Sequence, residues 1–292
     1  VADGSNGQIT FTSAASSASA GDWKCIEFTS AAQPPSMLDN VLIEFGGMTD
    51  GANLLIDVNT VPVMNSLIQN GSGIGVKFQD GGGGADAFTG NTVTSNALHP
   101  IDVYGDYLPT IPGGNTLTGN GEDVIKVQQD TIETRGAWAN NGVPVHVLGA
   151  LTISGDNTIA QVLETQFDGD VTVYKSSSGA TLTIGAGATL KFNASSLKAG
   201  FPTYGYPGRI VADGSTGTIT FTSSQSTPAP GDWKGIDLTN STLAGSVLDG
   251  VVVEYGGSAG AGIIVGNSLS EFSNSTIRNN AGIGVQFDIS DQ

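Results

Sequence analysis

Carboxylates are the most abundant side chains in this sequence that could do chemistry. There are 27 Asp and Glu residues against 10 Lys and Arg residues and 2 His. A facing pair of carboxylates can hydrolyse a glycosidic bond, and a cluster of them can bind Ca²⁺. Asp80 and Asp86, which flank four glycines, and the Asp168-Gly169-Asp170 turn are the candidate Ca²⁺ ligands. The sequence does not pair the acids into one unique site. We therefore predict no catalytic residue and no cofactor, and Ca²⁺ remains the alternative.

Several of these acids occur twice, 210 residues apart, which argues against a single catalytic centre. Residues that recur in every copy of a repeat more often hold turns or face solvent at fixed positions than form one active site. A binding site that recurs once per copy is the functional alternative. The recurring pairs are Asp3 and Asp213, Asp22 and Asp232, Asp39 and Asp249, and Glu44 and Glu254.

The other reactive side chains are isolated in the sequence. His99 and His146 have no Cys, His or carboxylate at the spacing of a zinc site. Cys25 stands where the second copy has Gly235, so we expect it to pack as a small apolar group. No GK[ST] follows the Gly81–Gly84 run, which therefore reads as a loop and not as a phosphate cradle.

Tryptophans are the aromatic candidates for contact with a sugar. Trp23 and Trp233 lie in identical GDWK blocks, and we expect both rings to pack at a corner of the fold. Trp138 lies in the segment RGAWANNG, which reads as a loop. We therefore expect the Trp138 ring to be exposed and to be the carbohydrate contact of this chain.

The composition limits the classes of partner. The net charge of −17 repels nucleic-acid phosphates and anionic lipid head groups, so we expect neither as a partner. No apolar run approaches the ~18 residues that cross a bilayer, so no membrane insertion is predicted in this segment. The chain has 43 glycines and only 13% charged residues, a mixture typical of short strands joined by tight turns.

An internal repeat organises the whole chain. VADGSNG at Val1 recurs as VADGSTG at Val211, GDWK at Gly21 recurs at Gly231, and LDNVLIEFGG at Leu38 recurs as LDGVVVEYGG at Leu248. NSLIQNGSGIGVKF at Asn65 recurs as NSTIRNNAGIGVQF at Asn274, an offset of 209 instead of 210. Matches of this length indicate a tandem array. We expect the natural protein to continue in both directions and other copies of the array to be its partners.

A shorter period predicts the fold. Ile43, Ile68, Val93 and Leu117 are 25, 25 and 24 residues apart, and Asn residues often follow such positions, at Asn70, Asn96, Asn120, Asn279 and Asn280. A period of about 24 residues is too short for a βαβ unit and suits one coil of short parallel strands. We predict an all-β fold, a parallel β-helix of roughly 12 coils spanning 1–292, in which those four residues form one interior column.

The segments that carry this pattern resemble the right-handed parallel β-helix repeat proteins that bacteria secrete or display, in the pectate-lyase-like superfamily. The resemblance rests on GATLTIGAGATLKF at 179–192, RIVADGSTGTITFTS from Arg209, GDWKGI from Gly231, and the VEYGG and NSTIRNNAGIGV segments. The first of these normally opens a family unit and implies a repeat boundary near Val143. Copies 1–142 and 143–292 follow from that boundary.

The resemblance implies an exported protein, extracellular or on the cell surface, without naming its activity. We expect a structural or adhesive rod. A polysaccharide lyase or glycoside hydrolase is the alternative. However, the NTD, DD, GHG and RIK signatures of the hydrolases are missing, and only Arg135, Arg209 and Arg278 are available as an arginine base. A carbohydrate-binding or ice-binding fold is the second alternative. For ice, Thr92 and Thr94 stack on Thr116 and Thr118, but the array ends after these two rows.

Overall fold

The computed structural model describes residues 1–29, 31–32, 35–48, 51–57, 61–79, 87–239, 243, 245–266 and 269–288. The chain forms two compact units. The first comprises Val1–Gln128 with Ala139–Pro144, and the second comprises Gln129–Trp138 with Val145–Gln292. These units reflect packing, and the repeat boundary near Val143 stays a prediction.

Short strands build the first unit, and the residues between them supply the turns. A 3₁₀ helix at Gly105–Thr110 also belongs to this unit. The strands are β1 (Ala2–Asp3), β2 (Ile9–Phe11), β3 (Ile26–Phe28), β4 (Leu38–Asp39), β5 (Val41–Glu44), β6 (Ala52–Ile56), β7 (Val63–Met64), β8 (Leu67–Gln69), β9 (Ile74–Phe78), β10 (Phe88–Thr89), β11 (Thr92–Thr94), β12 (Ile101–Tyr104) and β13 (Ile125–Gln128).

Successive strands of the first unit enter three parallel sheets in turn. The strand orders are β1-β4-β7-β10, β2-β5-β8-β11 and β3-β6-β9-β12-β13. One passage of the chain through the three sheets is called a rung here. The sequence period near 24 residues is therefore the length of a rung, because each strand pairs with the strand one rung later.

The second unit repeats this plan, and it also contains a 3₁₀ helix at Pro202–Tyr204. Its three parallel sheets have the orders β14-β17-β20-β23-β26-β29-β32, β15-β18-β21-β24-β27-β30 and β16-β19-β22-β25-β28-β31. The strands are β14 (Asp130–Ile132), β15 (Gly136–Trp138), β16 (Val145–Val147), β17 (Leu151–Ile153), β18 (Asn157–Ile159), β19 (Glu164–Phe167), β20 (Val171–Val173), β21 (Ala180–Ile184), β22 (Thr189–Phe192), β23 (Ser196–Ala199), β24 (Gly208–Asp213), β25 (Ile219–Ser223), β26 (Gly235–Leu238), β27 (Ser246–Asp249), β28 (Val251–Glu254), β29 (Ala261–Val265), β30 (Leu269–Ser273), β31 (Thr276–Arg278) and β32 (Ile283–Phe287).

The predicted interior column exists in the first unit. Ile43 pairs with Ile68, and Ile68 pairs with Val93. The bridge between Thr92 and Thr116 places Leu117 beside Val93, and all four side chains are fully buried. Stacking in register keeps apolar side chains on one face, because successive residues of a strand point to opposite faces. The predicted column is confirmed, as is the all-β character of the described residues with its long parallel sheets.

Buried amides join neighbouring rungs at a bend of the first unit. The Oδ1 atoms of Asn91, Asn115 and Asn141 accept hydrogen bonds from the backbone N–H groups of Ser66, Asn91 and Asn115, at 3.0, 3.1 and 3.2 Å. Backbone N–H groups that leave a strand at a buried bend need such partners. The Asn side chains therefore supply, at the bend, the hydrogen bonds between rungs that the strands supply within a sheet. We call this row of residues the amide ladder.

Candidate functional site

The recurring Asp22 and Asp232 hold the turn before each GDWK block. The carboxylate of Asp22 accepts hydrogen bonds from the Ser13 hydroxyl and, at 2.9 Å, from the Ser19 backbone N–H. These bonds lower the pKa of Asp22. Asp232 accepts the equivalent bonds from the Ser223 hydroxyl at 2.6 Å and the Ala229 N–H at 2.8 Å. The repetition of this acid therefore preserves a turn.

The recurring tryptophans and glutamates complete the same corner. Nε1 of Trp23 donates to the Glu44 carbonyl, and Nε1 of Trp233 donates to the Glu254 carbonyl, at 2.8 Å in both copies. The expectation that the indoles pack at a corner is thus confirmed. Their burial differs, because Trp23 is half-buried and Trp233 is fully buried.

Trp138 is buried, contrary to the expectation from the sequence. The ring was expected in an exposed loop, but it ends strand β15 and is fully buried. Its Nε1 donates to Oδ1 of Asn157 at 3.1 Å, and its ring packs against Phe167 with a centroid distance of 6.3 Å. The expectation of exposure is wrong, because the apolar indole fills the core of the second unit. The ring offers no face on which a sugar could stack.

Both histidines are paired with a neighbouring acid. Nε2 of His146 lies 2.7 Å from Oδ2 of Asp168, and the amide of Gln166 bridges the two side chains at 3.1 and 3.0 Å. Partial burial raises the pKa of Asp168, but the hydrogen bonds from Gln166 and His146 and the charge of His146 outweigh it, so the pKa is lowered. His99 lies 3.3 Å from Asp102, and both are buried. His146 and Asp168 are 22 residues apart in the sequence, so their pairing could not be predicted from local spacing.

Asp170 is the centre of an ion cluster. Its carboxylate lies 2.9 Å from Nζ of Lys234 and 3.7 Å from Nζ of Lys198, and it accepts the backbone N–H of Ser196 at 2.9 Å. Burial raises the pKa of Asp170, but the hydrogen bonds from Lys234 and Ser196 and the two ammonium charges outweigh it and lower the pKa. The lowered pKa favours the charged form of Asp170, which pairs with the ammonium groups of Lys198 and Lys234.

The candidate Ca²⁺ ligands are not assembled into a site by the described residues. Asp168 and Asp170 engage separate partners, His146 and the two lysines. Across those parts of the chain that the structure describes, no group of three His, Cys, Asp or Glu side chains could hold a metal ion. Asp80 and Asp86 lie outside the described residues. Cys25 is half-buried next to strand β3.

Of the two threonine rows considered for ice contact, the structure pairs Thr92 with Thr116. Thr92 faces Thr116 across the bridge on one side and Leu67 on the other, and Thr94 faces Gln69. The threonine surface of β11 is therefore interrupted on the β8 side, as the sequence predicts. A flat array over many rows is not formed there.

An aromatic cluster that the sequence analysis missed lies on the second unit. The rings of Tyr174, Phe201, Tyr204 and Tyr206 form a closed array, with neighbouring centroids 5.0 to 6.0 Å apart and ring planes inclined by 19° to 25°. We call it the four-ring cluster. Near-parallel offset stacking of this kind is a favoured arrangement of aromatic side chains. Tyr204 is 65% exposed, and the other three rings are half-buried.

Local backbone geometry fixes the four-ring cluster. Tyr174 follows strand β20, and its N–H donates to the Ile153 carbonyl at 3.0 Å. The loop between β23 and β24 is closed by two backbone hydrogen bonds between Phe201 and Tyr206, at 2.8 and 3.1 Å. Gly205 has φ of 65°, a left-handed conformation that glycine adopts without strain. Pro202 and Pro207 restrict the loop further, so the rings are held before any ligand arrives.

Two grooves border the four-ring cluster. One, of about 270 Å³, is lined by Tyr174 together with Thr131, Glu133, Thr152, Ser154 and Lys175. The other, of about 160 Å³, is lined by Phe201 and Pro202 together with Thr172, Lys198 and Asp237. Thr131, Thr152, Thr172, Lys198 and Asp237 are successive partners on the outer face of one sheet. The grooves therefore share a single row of polar side chains.

A sequence signal for this surface exists in FPTYGYPG at 201–208. Three aromatic residues fall within six positions of a chain whose aromatic content is 7%, and Pro and Gly surround them. Tyr174 belongs to the cluster only because the fold brings rungs together, so its part could not be found from spacing alone.

Comparisons with protein-family models, with curated proteins and with solved structures found no match for this chain. Within the described residues, no helix has the length and apolar character needed to cross a membrane.

Proposed function

We propose that this chain is a right-handed parallel β-helix segment of an extracellular or cell-surface repeat protein, in which it acts as a structural and adhesive rod. The observation that carries the proposal is the identity of the corner in the two copies. The recurring side chains make the same internal hydrogen bonds in both copies. Asp22 corresponds to Asp232, and Trp23 corresponds to Trp233. Repetition of framework contacts supports a structural role, because each rung must bury its face against the next.

The parallel sheets support the β-helix part of the proposal. A chain that enters three parallel sheets in turn, with a rung of about 24 residues, has the pattern of a solenoid. The kinship with pectate-lyase-like proteins rests on the sequence segments alone. The adhesive part is supported by the exposed ring of Tyr204 and the half-buried rings beside it, which border polar grooves, since contiguous apolar surface in contact with water typically marks a binding site.

The test of the rod is the localisation and role of the parent protein in the producing cell. We expect antibodies raised against this chain to label intact cells, and we expect mild external proteolysis to remove the label. Deletion of the segment from the parent gene should reduce attachment of cells to surfaces without removal of any secreted hydrolytic activity. Label found only after cell lysis, or turnover of pectin, alginate or glucans by the purified chain, would contradict the proposal.

A further inference from the structure

The four-ring cluster is exposed aromatic surface that the core does not need. The interior of the second unit is filled by other rings, among them Phe167, Phe192 and Trp233, which stack in sequence with centroids 5.3 and 4.5 Å apart. Tyr204, by contrast, leaves 65% of its surface in water. Contact of apolar ring surface with water is unfavourable, and a ligand that covers the surface removes this contact. The arrangement therefore favours a ligand that covers the rings.

The polar lining of the grooves defines the chemistry of that ligand. Each groove contains one ammonium and one carboxylate, Lys175 with Glu133 and Lys198 with Asp237, together with threonine hydroxyls. The formal charge of these groove linings is zero on each side. Ammonium groups donate hydrogen bonds, carboxylates accept them, and hydroxyls do both. A partner with many hydroxyl groups and no net charge satisfies both grooves.

We infer that the four-ring cluster and its two grooves bind a neutral oligosaccharide. The apolar C–H face of a pyranose ring lies on Tyr204 and its neighbours, and the sugar hydroxyls bond to Lys198, Asp237 and the threonines. Anionic glycans are disfavoured, because the chain carries a net charge of −17 and Lys198 and Lys234 already pair with Asp170. This inference rests on the proposed adhesive function and gives it a ligand class.

Rigidity of the loop supports a binding role. The Phe201–Tyr206 backbone pair, Gly205 and the two prolines fix the ring positions in the absence of ligand. A site formed in advance avoids the free-energy cost of ordering side chains on binding. This matters for short sugar ligands, because they bury little surface and gain little binding free energy to offset that cost.

A second copy of this chain fits the surface less well than a glycan. Stable protein interfaces bury about 800 Å² on each partner and have an apolar centre. Here four rings are bordered on two sides by charged groove walls. The apolar area is therefore limited to the four rings.

Isothermal titration calorimetry on the full chain tests this inference. The probes are cellohexaose, mannohexaose and maltohexaose, with hexagalacturonate as the anionic counterpart. We expect at least one neutral probe to bind. Tyr204→Ala should weaken this binding by tenfold or more, and Lys198→Met should weaken it less. Hexagalacturonate should not bind.

Phe287→Ala is the matched control, because Phe287 is 63% exposed and lies outside the cluster. It should leave the affinity unchanged. Circular dichroism and the melting temperature verify that each variant folds, which is expected since Tyr204 contributes little to the core. The inference is overturned if no neutral probe binds, if Tyr204→Ala binds as tightly as the wild type, if hexagalacturonate binds more tightly than the neutral probes, or if Tyr204→Ala alters only self-association. None of these outcomes alters where the parent protein is located, so the rod proposal is tested separately.

Discussion

The two copies of the repeat build the same corner with differently placed asparagines. In the first copy, Oδ1 of Asn53 accepts the N–H of Gly46 at 2.8 Å. In the second copy, Oδ1 of Asn280 accepts the N–H of Gly256 at 2.7 Å. These asparagines are not equivalent in sequence, because Asn53 aligns with Gly262 and Asn280 aligns with Gly71 at the offset of 209. The structure conserves the hydrogen bond and not the residue that makes it.

The exchange follows from limited space. A Cβ atom on Gly71 would lie 2.5 Å from Nδ2 of Asn53, and a Cβ atom on Gly262 would lie 2.9 Å from Cγ of Asn280. Real Cβ atoms do not approach neighbours this closely, because protein interiors are packed at the density of organic crystals. One amide fits between the two positions, so the opposite position must be glycine. Pairs of positions, and not single ones, therefore specify the corner.

Loss of the buried indole is the change with the largest expected effect, and it separates the copies. Trp233 is fully buried and stacks on Phe192 at 4.5 Å, whereas Trp23 is half-buried. We expect Trp233→Ala to destabilise its surroundings by about 3–5 kcal/mol. Trp23→Ala should destabilise its surroundings by roughly 1–2 kcal/mol, because less apolar surface is lost from the interior. Hydrogen exchange of peptides from 219–265 and from 9–56 measures the two effects locally.

Phenylalanine at either position is the control for the ring itself. It retains most of the packing and removes only the N–H bond to Glu44 or Glu254, so the two variants should be affected equally, by about 0.5–1.5 kcal/mol. Equal losses for the two alanine variants would show that burial of the indole does not distinguish the corners.

The asparagine exchange predicts a rescue in the first copy. Asn53→Gly leaves the buried N–H of Gly46 without its partner and should destabilise the protein by about 1–3 kcal/mol. Gly71→Asn alone should also destabilise, because its side chain collides with Asn53. The double variant removes the collision with Asn53 and should recover part of the stability, because a Cβ atom at position 71 would still lie 2.9 Å from Oδ1 of Asn96. Urea unfolding of the four proteins gives the coupling energy between the two positions.

Gly262→Asn with Asn280→Gly is the reciprocal test in the second copy. Additive destabilisation in either double variant would show that the two asparagines act independently and that the exchange is accidental.

Acidity should affect the second copy through a contact of its GDWK block, the ion pair between Lys234 and Asp170. The pKa of Asp170 is lowered in the folded chain. The unfolded chain therefore binds the proton more readily, and the stabilisation that is present above the ordinary Asp pKa is lost as the pH falls through that pKa and below, between about pH 5 and pH 2. Asp170 is partly exposed, so the expected loss is below about 1 kcal/mol.

Asp170→Asn should reduce this pH dependence, with little change at low pH. Melting temperatures of the wild type and the variant across that range measure it. Lys234→Met should reduce the same dependence from the other side of the pair. A pH dependence that is identical in all three proteins would mean that Asp170 does not contribute to it.

Much of the fold could be predicted from the sequence, because apolar stacking is periodic. The column of Ile43, Ile68, Val93 and Leu117 follows directly from a spacing of one rung. Trp138 was misplaced because polar neighbours in RGAWANNG suggested a loop, whereas strand pairing to β18 turns the indole inward. The polarity of neighbouring residues in the sequence does not determine which face of a strand a side chain lies on.

Backbone strain at the corner was also hidden from the sequence. Phe45 and Tyr255 have φ of 65° and 62°, a region that residues with bulky side chains avoid. Their carbonyls accept the N–H groups of Gly21 and Gly231 at 3.0 Å in each copy. An aromatic residue before two glycines does not predict a positive φ, because the surrounding rungs impose this backbone conformation. The aromatic cluster was missed for a related reason, since Tyr174 joins it through the fold.

The amide ladder of Ser66, Asn91, Asn115 and Asn141 also determines how the first unit would respond to pulling. Its hydrogen bonds run from one rung to the next and would carry a load applied along the stack one after another. The bonds of an end rung would break first, and its residues would then extend freely. A freed rung of about 24 residues spans roughly 80 Å when extended. We therefore expect the first unit to lengthen under tension in discrete steps of about that size, each of which dissipates mechanical work while the remaining rungs stay folded.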